Sequence, residues 1–469
     1  MAFTRYKQRG QKWYVYQVSN VWDKTLKKYK QTSIYLGVAN EKGGTYSKER
    51  QQVQQIEREI LDFGDSFAIA KNAEASGFLR VLKECFDDVD SIMSLICYQL
   101  TNGAAMYNCQ DWVEGNIANK LFPNAKLKSQ SISNLIKNLG KEEVQRKFFK
   151  RYIETFFQDK HGILIDGTAL PSAVNSSLNA WGYDTAGIQK KINCLMLVDK
   201  VSKLPIFFRA VPGDIPDVST LKHTFNEIAR LGLTTEAAIF DAGYFSQNNI
   251  EYLCQQKVNF ISRMPKSRSV FKDLVSNAKN IETSSHAVQY GKRIVFIDSQ
   301  DINLYGYKMV AHVILDPEKK AKDVKLLLLD SLANPDEEKD VDEAMRYCGF
   351  FILISKQELN KAEVLPNYYM RQSIEQIFGF AKINNLLPLR VHSDQSINGY
   401  LLLVFLSIIV FIQMRQKLED KTTVEQALLV LRNLKAKVYD QQIIPQELTK
   451  KTKVIFDSLG VTVPTLLGI

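Results

Sequence analysis

Residues Gly162–Gly167 read GILIDG, a short apolar run that ends in the acid Asp166. Apolar runs of this length are typical of buried strands. Similar runs follow along the chain, and two amphipathic segments lie between the later ones. The predicted strands are Gly162–Gly167, Ile192–Val198, Leu204–Val211, Ala237–Phe240 and Asn259–Arg263, and the predicted helices are Val218–Leu231 and Gln247–Gln256. Three strands followed by helix, strand, helix and strand predict a mixed α/β sheet covered by helices.

The N-terminal segment is basic and rich in aromatic residues. Lys12–Ser19 and Tyr29–Leu36 are predicted as two strands joined by a polar turn near Trp22–Leu26. Between Met1 and Gly37, eight Lys and Arg residues stand against one Asp, so 8 − 1 = +7 of the net charge of +10 lies here. Such a ribbon either enters a DNA groove or is a solvated hairpin packed on the next domain.

A helical region follows the ribbon. Ser47–Phe63 is charged and predicted to be helical, and the apolar spacing of Ala73–Phe157 predicts a bundle of several helices. Within the bundle, Lys128–Gly140 is predicted as one helix. Its polar side chains either face DNA bases or have only a structural role.

Beyond Pro265 the pattern changes to strands. Ala287–Asp298, Leu304–Leu315 and Val324–Asp330 are predicted as strands, with no convincing helix before Asp340, which indicates an antiparallel insertion. Glu363–Leu386 is predicted as one long helix, and Thr423–Leu459 as helical with a 3.6-residue period.

The sequence therefore predicts six segments with different structures. They are a basic β-ribbon (1–45), a helical DNA-binding region (46–158), the first part of the core (159–264), a β-strand insertion (265–345), the second part of the core (346–415) and a helical C-terminal region (416–469).

Composition indicates a globular protein with a polyanionic partner. Apolar residues make up 45% and charged residues 24% of the 469-residue chain, and the net charge of +10 favours a nucleic acid as partner. The six cysteines are scattered without C-x-x-C spacing, which excludes a typical zinc finger and fits a reducing cytoplasm. The apolar run Gly399–Met414 is shorter than a membrane span requires, so it is predicted as a buried core helix rather than a membrane anchor.

Two acids occupy the ends of predicted strands. Asp166 and Asp241 each follow a buried apolar strand and precede a small residue. A carboxylate at such a strand end lies at the sheet edge where α/β proteins bind ligands, although a single strand-end Asp more often caps a turn. Two facing carboxylates repel each other unless a cation lies between them, and Mg²⁺ prefers oxygen ligands.

A third acid lies on a predicted helix with two cations and an aromatic residue. Tyr368, Arg371, Glu375 and Lys382 are spaced three, four and seven residues apart, which sets all four within about 60° on one helix face. The acid can complete a metal site and the cations can hold phosphates. The alternative is a solvated charge ladder, but such ladders usually contain more than one acid.

The pattern Tyr368-x2-Arg371-x3-Glu375-x6-Lys382 resembles the signature around the third acid of DDE transposases from bacterial insertion sequences. The blocks IDGTAL, Val211–Asp217 and Phe240–Ser246 resemble the other sequence blocks of the cut-and-paste branch. In that branch a β-strand insertion interrupts a ribonuclease H-like core between the second Asp and the Glu. Here that gap is 375 − 241 = 134 positions and contains the strand-rich segment.

This resemblance implies a polynucleotidyl transferase that cleaves and joins DNA by in-line displacement at phosphorus. Asp166, Asp241 and Glu375 would hold two Mg²⁺ ions, with Mn²⁺ able to substitute, and Tyr368, Arg371 and Lys382 would grip the DNA end. The implied partners are duplex DNA with terminal inverted repeats and target DNA. The resemblance also implies that the protein forms a homodimer on paired DNA ends. It would act in the cytoplasm, at the nucleoid.

One departure concerns a tryptophan that in some relatives stacks, from the β insertion, on a flipped base. All four tryptophans here lie outside the insertion, so either Tyr290, Phe296, Tyr305 or Tyr307 takes that role or a flipped base is held differently. Two alternatives remain, a nuclease of the same fold that cuts without joining and a catalytically idle DNA-binding regulator. The intact acid triad argues against the regulator, because clustered carboxylates are costly to keep.

Overall fold

The computed structural model describes residues 2–23, 27–48, 57–172, 174–184, 187–215, 217–278, 280–333, 340–383, 391, 393–419, 421–440 and 442–468. The chain forms two compact units. One contains Met1–Glu59 and Val438–Gln442, and the other contains Ile60–Lys437 and Ile443–Ile469. The division into six segments remains a prediction.

The N-terminal part of the first unit is a three-stranded antiparallel sheet in sequence order. Its strands are β1 (Ala2–Arg9), β2 (Lys12–Asp23) and β3 (Lys28–Ala39). The two predicted strands are confirmed, but β1 was not predicted, because its alternating basic and polar residues lack the apolar face that marks a half-buried strand. The predicted turn falls mainly on residues 24–26, outside the described residues.

The second unit begins with a short strand and a helical bundle. The strand is β4 (Glu59–Asp62), so the prediction that Ser47–Phe63 is helical is wrong there, while residues 49–56 lie outside the described part. The predicted bundle is confirmed. Its helices are α1 (Gly64–Ala75), α2 (Phe78–Cys85), α3 (Val89–Thr101), α4 (Cys109–Glu114), α5 (Ala118–Leu121), α6 (Ser129–Leu139) and α7 (Glu142–Phe156).

The core after the bundle contains every strand predicted for it. The elements are β5 (Lys160–Pro171), β6 (Ala180–Asp184), β7 (Gly187–Asp199), β8 (Pro205–Pro212), α8 (Asp217–Arg230), β9 (Thr234–Phe240), α9 (Gln247–Gln255) and β10 (Asn259–Arg263). Strands β8, β7 and β5 are antiparallel neighbours, and β9 and β10 run parallel to β5 on its other side. This order and direction are those of a ribonuclease H-like sheet, so the predicted fold class is confirmed.

The insertion extends the same sheet instead of forming a separate one. It contributes α10 (Ser269–Asn277), β11 (Ala287–Tyr290), β12 (Arg293–Leu304), β13 (Tyr307–Leu315), α11 (Pro317–Ala333) and α12 (Val341–Arg346). The next strand, β14 (Phe350–Ser355), pairs with both β13 and β10, so the order is β11-β12-β13-β14-β10. The strand predicted at Val324–Asp330 is wrong, because this stretch lies within α11. Leu, Lys and Asp in a short apolar run cannot be assigned by periodicity alone.

The predicted long helix over Glu363–Leu386 is two helices. These are α13 (Lys361–Tyr369) and α14 (Gln372–Ile383), and residues 384–390 lie outside the described part. The interruption falls at Met370 and Arg371, where the amide of Arg371 bonds to the carbonyl of Tyr368 three residues back. Pro366 within α13 removes one amide donor, which weakens the continuous helical ladder just before this point.

The long apolar helix α15 (Asp394–Leu418) runs through the core, as predicted. By length and composition it could cross a membrane, but 94% of its most apolar window is buried inside the protein. It packs against α6 so closely that a Cβ on Gly399 would lie 1.8 Å from a backbone oxygen of α6. Glycine is therefore required at this crossing.

The C-terminal region is only partly helical. It contains α16 (Val424–Arg432), β15 (Lys435–Tyr439), β16 (Gln442–Pro445), α17 (Lys450–Leu459) and β17 (Leu467–Gly468). The prediction of helix throughout Thr423–Leu459 is wrong for β15 and β16. The sequence of β15, KAKVY, alternates between buried and more exposed residues, which is the period of a strand.

Candidate active site

Asp166 and Asp241 share one register on neighbouring parallel strands. In the pairing of β5 with β9, Ile163 lies opposite Ala238, an offset of 238 − 163 = 75 positions. The same offset sets Asp166 opposite Asp241, since 166 + 75 = 241. The paired ladder ends at Leu164 and Ile239, so both carboxylates lie just beyond it at the carboxyl edge of the sheet.

Arg263 completes this row of strand ends. In the pairing of β9 with β10, Phe240 lies opposite Ser262, so Asp241 and Arg263 occupy the next position on each strand. The positive charge of Arg263 contributes to lowering the pKa of Asp241. Arg263 was not predicted as a site residue, although a cation at the end of a predicted strand was a signal equivalent to the two acids.

The break between α13 and α14 brings Tyr368, Arg371 and Glu375 to the two aspartates. The hydroxyl of Tyr368 donates a hydrogen bond of 2.8 Å to Oδ1 of Asp241. Arg371 and Glu375 lie on either side of the start of α14. Three of the four residues predicted to share one face of a continuous helix therefore meet at the sheet edge, but through a broken helix.

The guanidinium of Arg371 lies among all three acids. Its nitrogens are 2.7 Å from Oδ2 of Asp166, 3.6 Å from Oδ2 of Asp241 and 3.6 Å from Oε1 of Glu375. The side chains of Arg371 and Asp166 are 12% and 14% exposed, whereas those of Asp241 and Glu375 are 39% and 56% exposed. One largely buried cation thus neutralises part of a cluster of three carboxylates.

Burial and charge act differently on the two aspartates. Burial raises the pKa of Asp166 to about 6, despite the opposing attraction of Arg371. Burial also raises the pKa of Asp241. The charge of Arg371, the amide of Ala242 and the hydroxyl of Tyr368 outweigh that effect and hold the pKa of Asp241 below its ordinary value. The Asp241 carboxylate is therefore the more strongly stabilised in its charged form.

A family model described as "Transposase DDE domain" matches residues 157–410, which is more than half of the chain. The chain belongs to the DDE transposase domain family. No curated protein matches the sequence. Among solved structures, a piggyBac transposase in a synaptic complex with hairpin DNA is similar at 12% identity and a TM-score of 0.39. The match covers 78% of this chain and 70% of that one.

A basic cleft of this DDE domain adjoins the acids at Tyr368. Its lining combines cations from the core strand β10 and from the insertion with aromatic side chains and two acids. The lining residues are Arg263, Arg293, Asp316, Glu318, Lys319, Lys322, Phe351, Tyr368 and Tyr369. Arg293 pairs with Asp316 at 2.9 Å, and Arg263 lies over the ring of Phe351. The insertion thus brings positive charge beside the acids, which its sequence alone did not reveal.

The other residues predicted to contact DNA lie in different parts of the structure. Lys382 belongs to α14, but its side chain lies outside the described residues. Among the aromatic residues considered for base stacking, Tyr290 stacks on Tyr369 with ring centres 5.3 Å apart, next to the cleft. Tyr305 instead lies in the turn between β12 and β13, where its φ is +56°. These residues' contacts with DNA remain predictions.

Proposed function

We propose that this transposase cleaves DNA strands at the ends of an insertion sequence and joins them to target DNA by in-line phosphoryl transfer. Asp166, Asp241 and Glu375 are the proposed catalytic acids. The observation that carries the proposal is the shared register of Asp166 and Asp241 at the carboxyl edge of a ribonuclease H-like sheet, with Glu375 joined to them through Arg371.

The donor set fits divalent metal ions, which DDE transposases generally use. Three carboxylates and one guanidinium leave a net charge of −3 + 1 = −2 at the site, and all the donors are the oxygens that Mg²⁺ prefers. Among the described residues, no three acidic, histidine or cysteine side chains lie close enough to hold one ion together. As the family resemblance implies, we propose that Asp166 and Asp241 would hold one ion and that Asp166 and Glu375 would hold the other.

When bound, two such ions, Mg²⁺ or Mn²⁺, would activate the attacking hydroxyl and stabilise the leaving oxygen. The residues of the chain supply the positioning. Tyr368 orients the Asp241 carboxylate through its hydrogen bond. Nε of Arg371 is buried and has no hydrogen-bond partner among the described residues.

The basic cleft supports a DNA strand as substrate. We propose that Tyr368, Arg371 and Lys382 hold the DNA end together with cations of the cleft, because phosphate contacts fix the position of a strand without reading its sequence. The proposed partners are duplex DNA with terminal inverted repeats and target DNA, bound by a homodimer that pairs two ends at the nucleoid in the cytoplasm.

The test uses a plasmid that carries the gene with its flanking DNA, incubated with the purified protein and Mg²⁺. We expect Asp166→Asn, Asp241→Asn and Glu375→Gln each to abolish strand cleavage and to leave binding in a gel-shift assay largely intact. The reason is that the acids hold metal whereas the cations hold phosphate. Asp301→Asn, at an exposed position of β12, is the matched control and should cleave at the wild-type rate.

Cleavage retained by any one of the three variants would remove that residue from the site. Joined products separate the proposal from the alternative of a nuclease. A protein that cuts the flanking DNA but never forms joined ends would be the nuclease.

A further inference from the structure

In the part of the three-stranded sheet that lies alongside β1, the cations and most of the aromatic rings lie on one face. Side chains directly opposite each other in an antiparallel pair lie on the same face. Arg5 lies opposite Tyr16, Lys7 opposite Tyr14, and Tyr16 opposite Tyr35. We call this surface the basic-aromatic face, and it consists of Phe3, Arg5, Lys7, Arg9, Tyr14, Tyr16 and Tyr35.

The groups on this face are ordered by contact with one another. Arg5 lies 5.6 Å from the ring centre of Phe3, Lys7 lies 5.6 Å from that of Tyr16, and Arg9 lies 5.8 Å from that of Tyr14. The rings of Tyr16 and Tyr35 are 5.4 Å apart. These contacts hold long side chains in place before any ligand binds, which lowers the entropy cost of binding.

The opposite face of the same region has no cation. On β1 and on the parts of β2 and β3 that lie alongside it, this opposite face carries Ala2, Thr4, Tyr6, Gln8, Trp13, Val15, Gln17, Ser19, Thr32 and Ile34. A hairpin that needed charge only for solubility would have no reason to segregate it. Cations and aromatic rings side by side on one face, with the rings of Phe3 and Tyr35 exposed, instead match a ligand that carries both phosphates and flat apolar groups.

We propose that the basic-aromatic face binds a single unpaired strand of nucleic acid, with phosphates on the cations and bases stacked on the exposed rings. Phe3 is 47% exposed and Tyr35 is also exposed, so both offer ring surface to a base. Base faces are accessible only where the strand is unpaired. The inference that this strand comes from a cleaved or unwound DNA end rests on the proposed function.

The test measures fluorescence anisotropy of the full-length protein with a labelled 20-nucleotide oligothymidylate and with a 20-base-pair duplex of random sequence, in EDTA. Phe3→Leu combined with Tyr35→Leu removes two stacking rings but keeps apolar side chains on the strands. We expect this variant to bind the oligonucleotide at least about thirtyfold more weakly, as for the loss of two stacked bases, and the duplex less than threefold more weakly.

The charge arm compares two variants that each lose two positive charges. Arg5→Gln combined with Arg9→Gln should reduce the slope of log affinity against log salt by about 2 × 0.7 = 1.4 for the oligonucleotide. Lys28→Gln combined with Lys30→Gln removes the same charge from the opposite face, near the far end of the sheet, and should leave the slope nearly unchanged.

Equal losses for oligonucleotide and duplex would overturn the proposal, as would equal effects of the two charge pairs. Greater loss of duplex binding would make the face a groove-binding surface instead. If circular dichroism shows that the aromatic variant does not fold, the comparison of the two charge variants decides alone. Because binding is measured without divalent ions, its outcome is separate from that of the cleavage assay.

Discussion

Replacing Arg371 by methionine should destabilise the protein chiefly through Asp166. Arg371 is the cation among three carboxylates, and methionine keeps much of its aliphatic volume while removing the charge. The variant leaves Asp166 charged and largely buried, with two further acids beside it.

The size of the effect follows from the exposure of each pair. Asp241 and Glu375 are more than a third exposed and 3.6 Å from the guanidinium, so solvent screens these two pairs to about 0–1 kcal/mol each. The pair with Asp166 is 2.7 Å long and buried on both sides. Removing one partner of such a pair costs about 3–5 kcal/mol, and we expect about 3 kcal/mol at pH 8. The cost should shrink at pH 5, because the pKa of Asp166 is raised to about 6 and the carboxyl then takes up a proton.

The assay is urea unfolding of the full-length protein in EDTA, followed by tryptophan fluorescence. Arg146→Met is the control, since Arg146 and Glu142 form an exposed pair whose loss should cost less than about 0.5 kcal/mol. In an Asp166→Asn background, Arg371→Met should cost less than about 1 kcal/mol. Mg²⁺ should raise the melting temperature of Arg371→Met more than that of the wild type, because no internal cation then competes for the carboxylates. Wild-type stability of Arg371→Met at pH 8 would refute the reasoning.

Three further predictions concern DNA contact, packing and pH. Lys382→Ala should weaken binding to the flanking DNA by about 1–3 kcal/mol, as for a lost charge-assisted bond, whereas Lys257→Ala, before the start of β10, should change it by less than about 0.5 kcal/mol. Wild-type gel shifts for both would exclude the Lys382 contact. Gly399→Ala should lower the free energy of unfolding by about 1–3 kcal/mol, because the new Cβ would clash with α6. The control is Gly379→Ala in α14, where a Cβ meets nothing within 4 Å. This change should raise the free energy of unfolding by about 0.5–1 kcal/mol. Equal urea midpoints would argue against the close crossing. Burial lowers the pKa of His312 to about 4. The contribution of the neutral His312 side chain to the free energy of unfolding is therefore fully present above pH 6.5. It is lost as the pH falls through 4, by about 3 kcal/mol in all. His312→Gln should flatten the fall in unfolding free energy between pH 6.5 and 4, and an unchanged pH profile would exclude His312 as its source.

Much of the core could be predicted from the chain alone, because its signals are local. Apolar runs that end in Asp166 and Asp241 predicted buried strands and their carboxyl-edge acids, and the spacing from Tyr368 to Lys382 indicated the third acid. Errors arose where local patterns were ambiguous. The leucine-rich run at Val324–Asp330 satisfies both a strand and a helix, and in the structure it is part of α11, a helix with no buried residue.

The relation between the acids and Arg371 was decided by the tertiary structure. Helical spacing put Arg371 and Glu375 on one face, and Pro366 was a local signal that the helix is weakened. Nothing local specified that the guanidinium reaches Asp166 on a strand about 200 residues earlier. The same holds for Arg263, which is next to Asp241 only because β10 pairs with β9. Periodicity along a chain predicts which face a side chain occupies. Which charges meet across the sheet edge depends on strand order and register, and these are set by packing among distant segments.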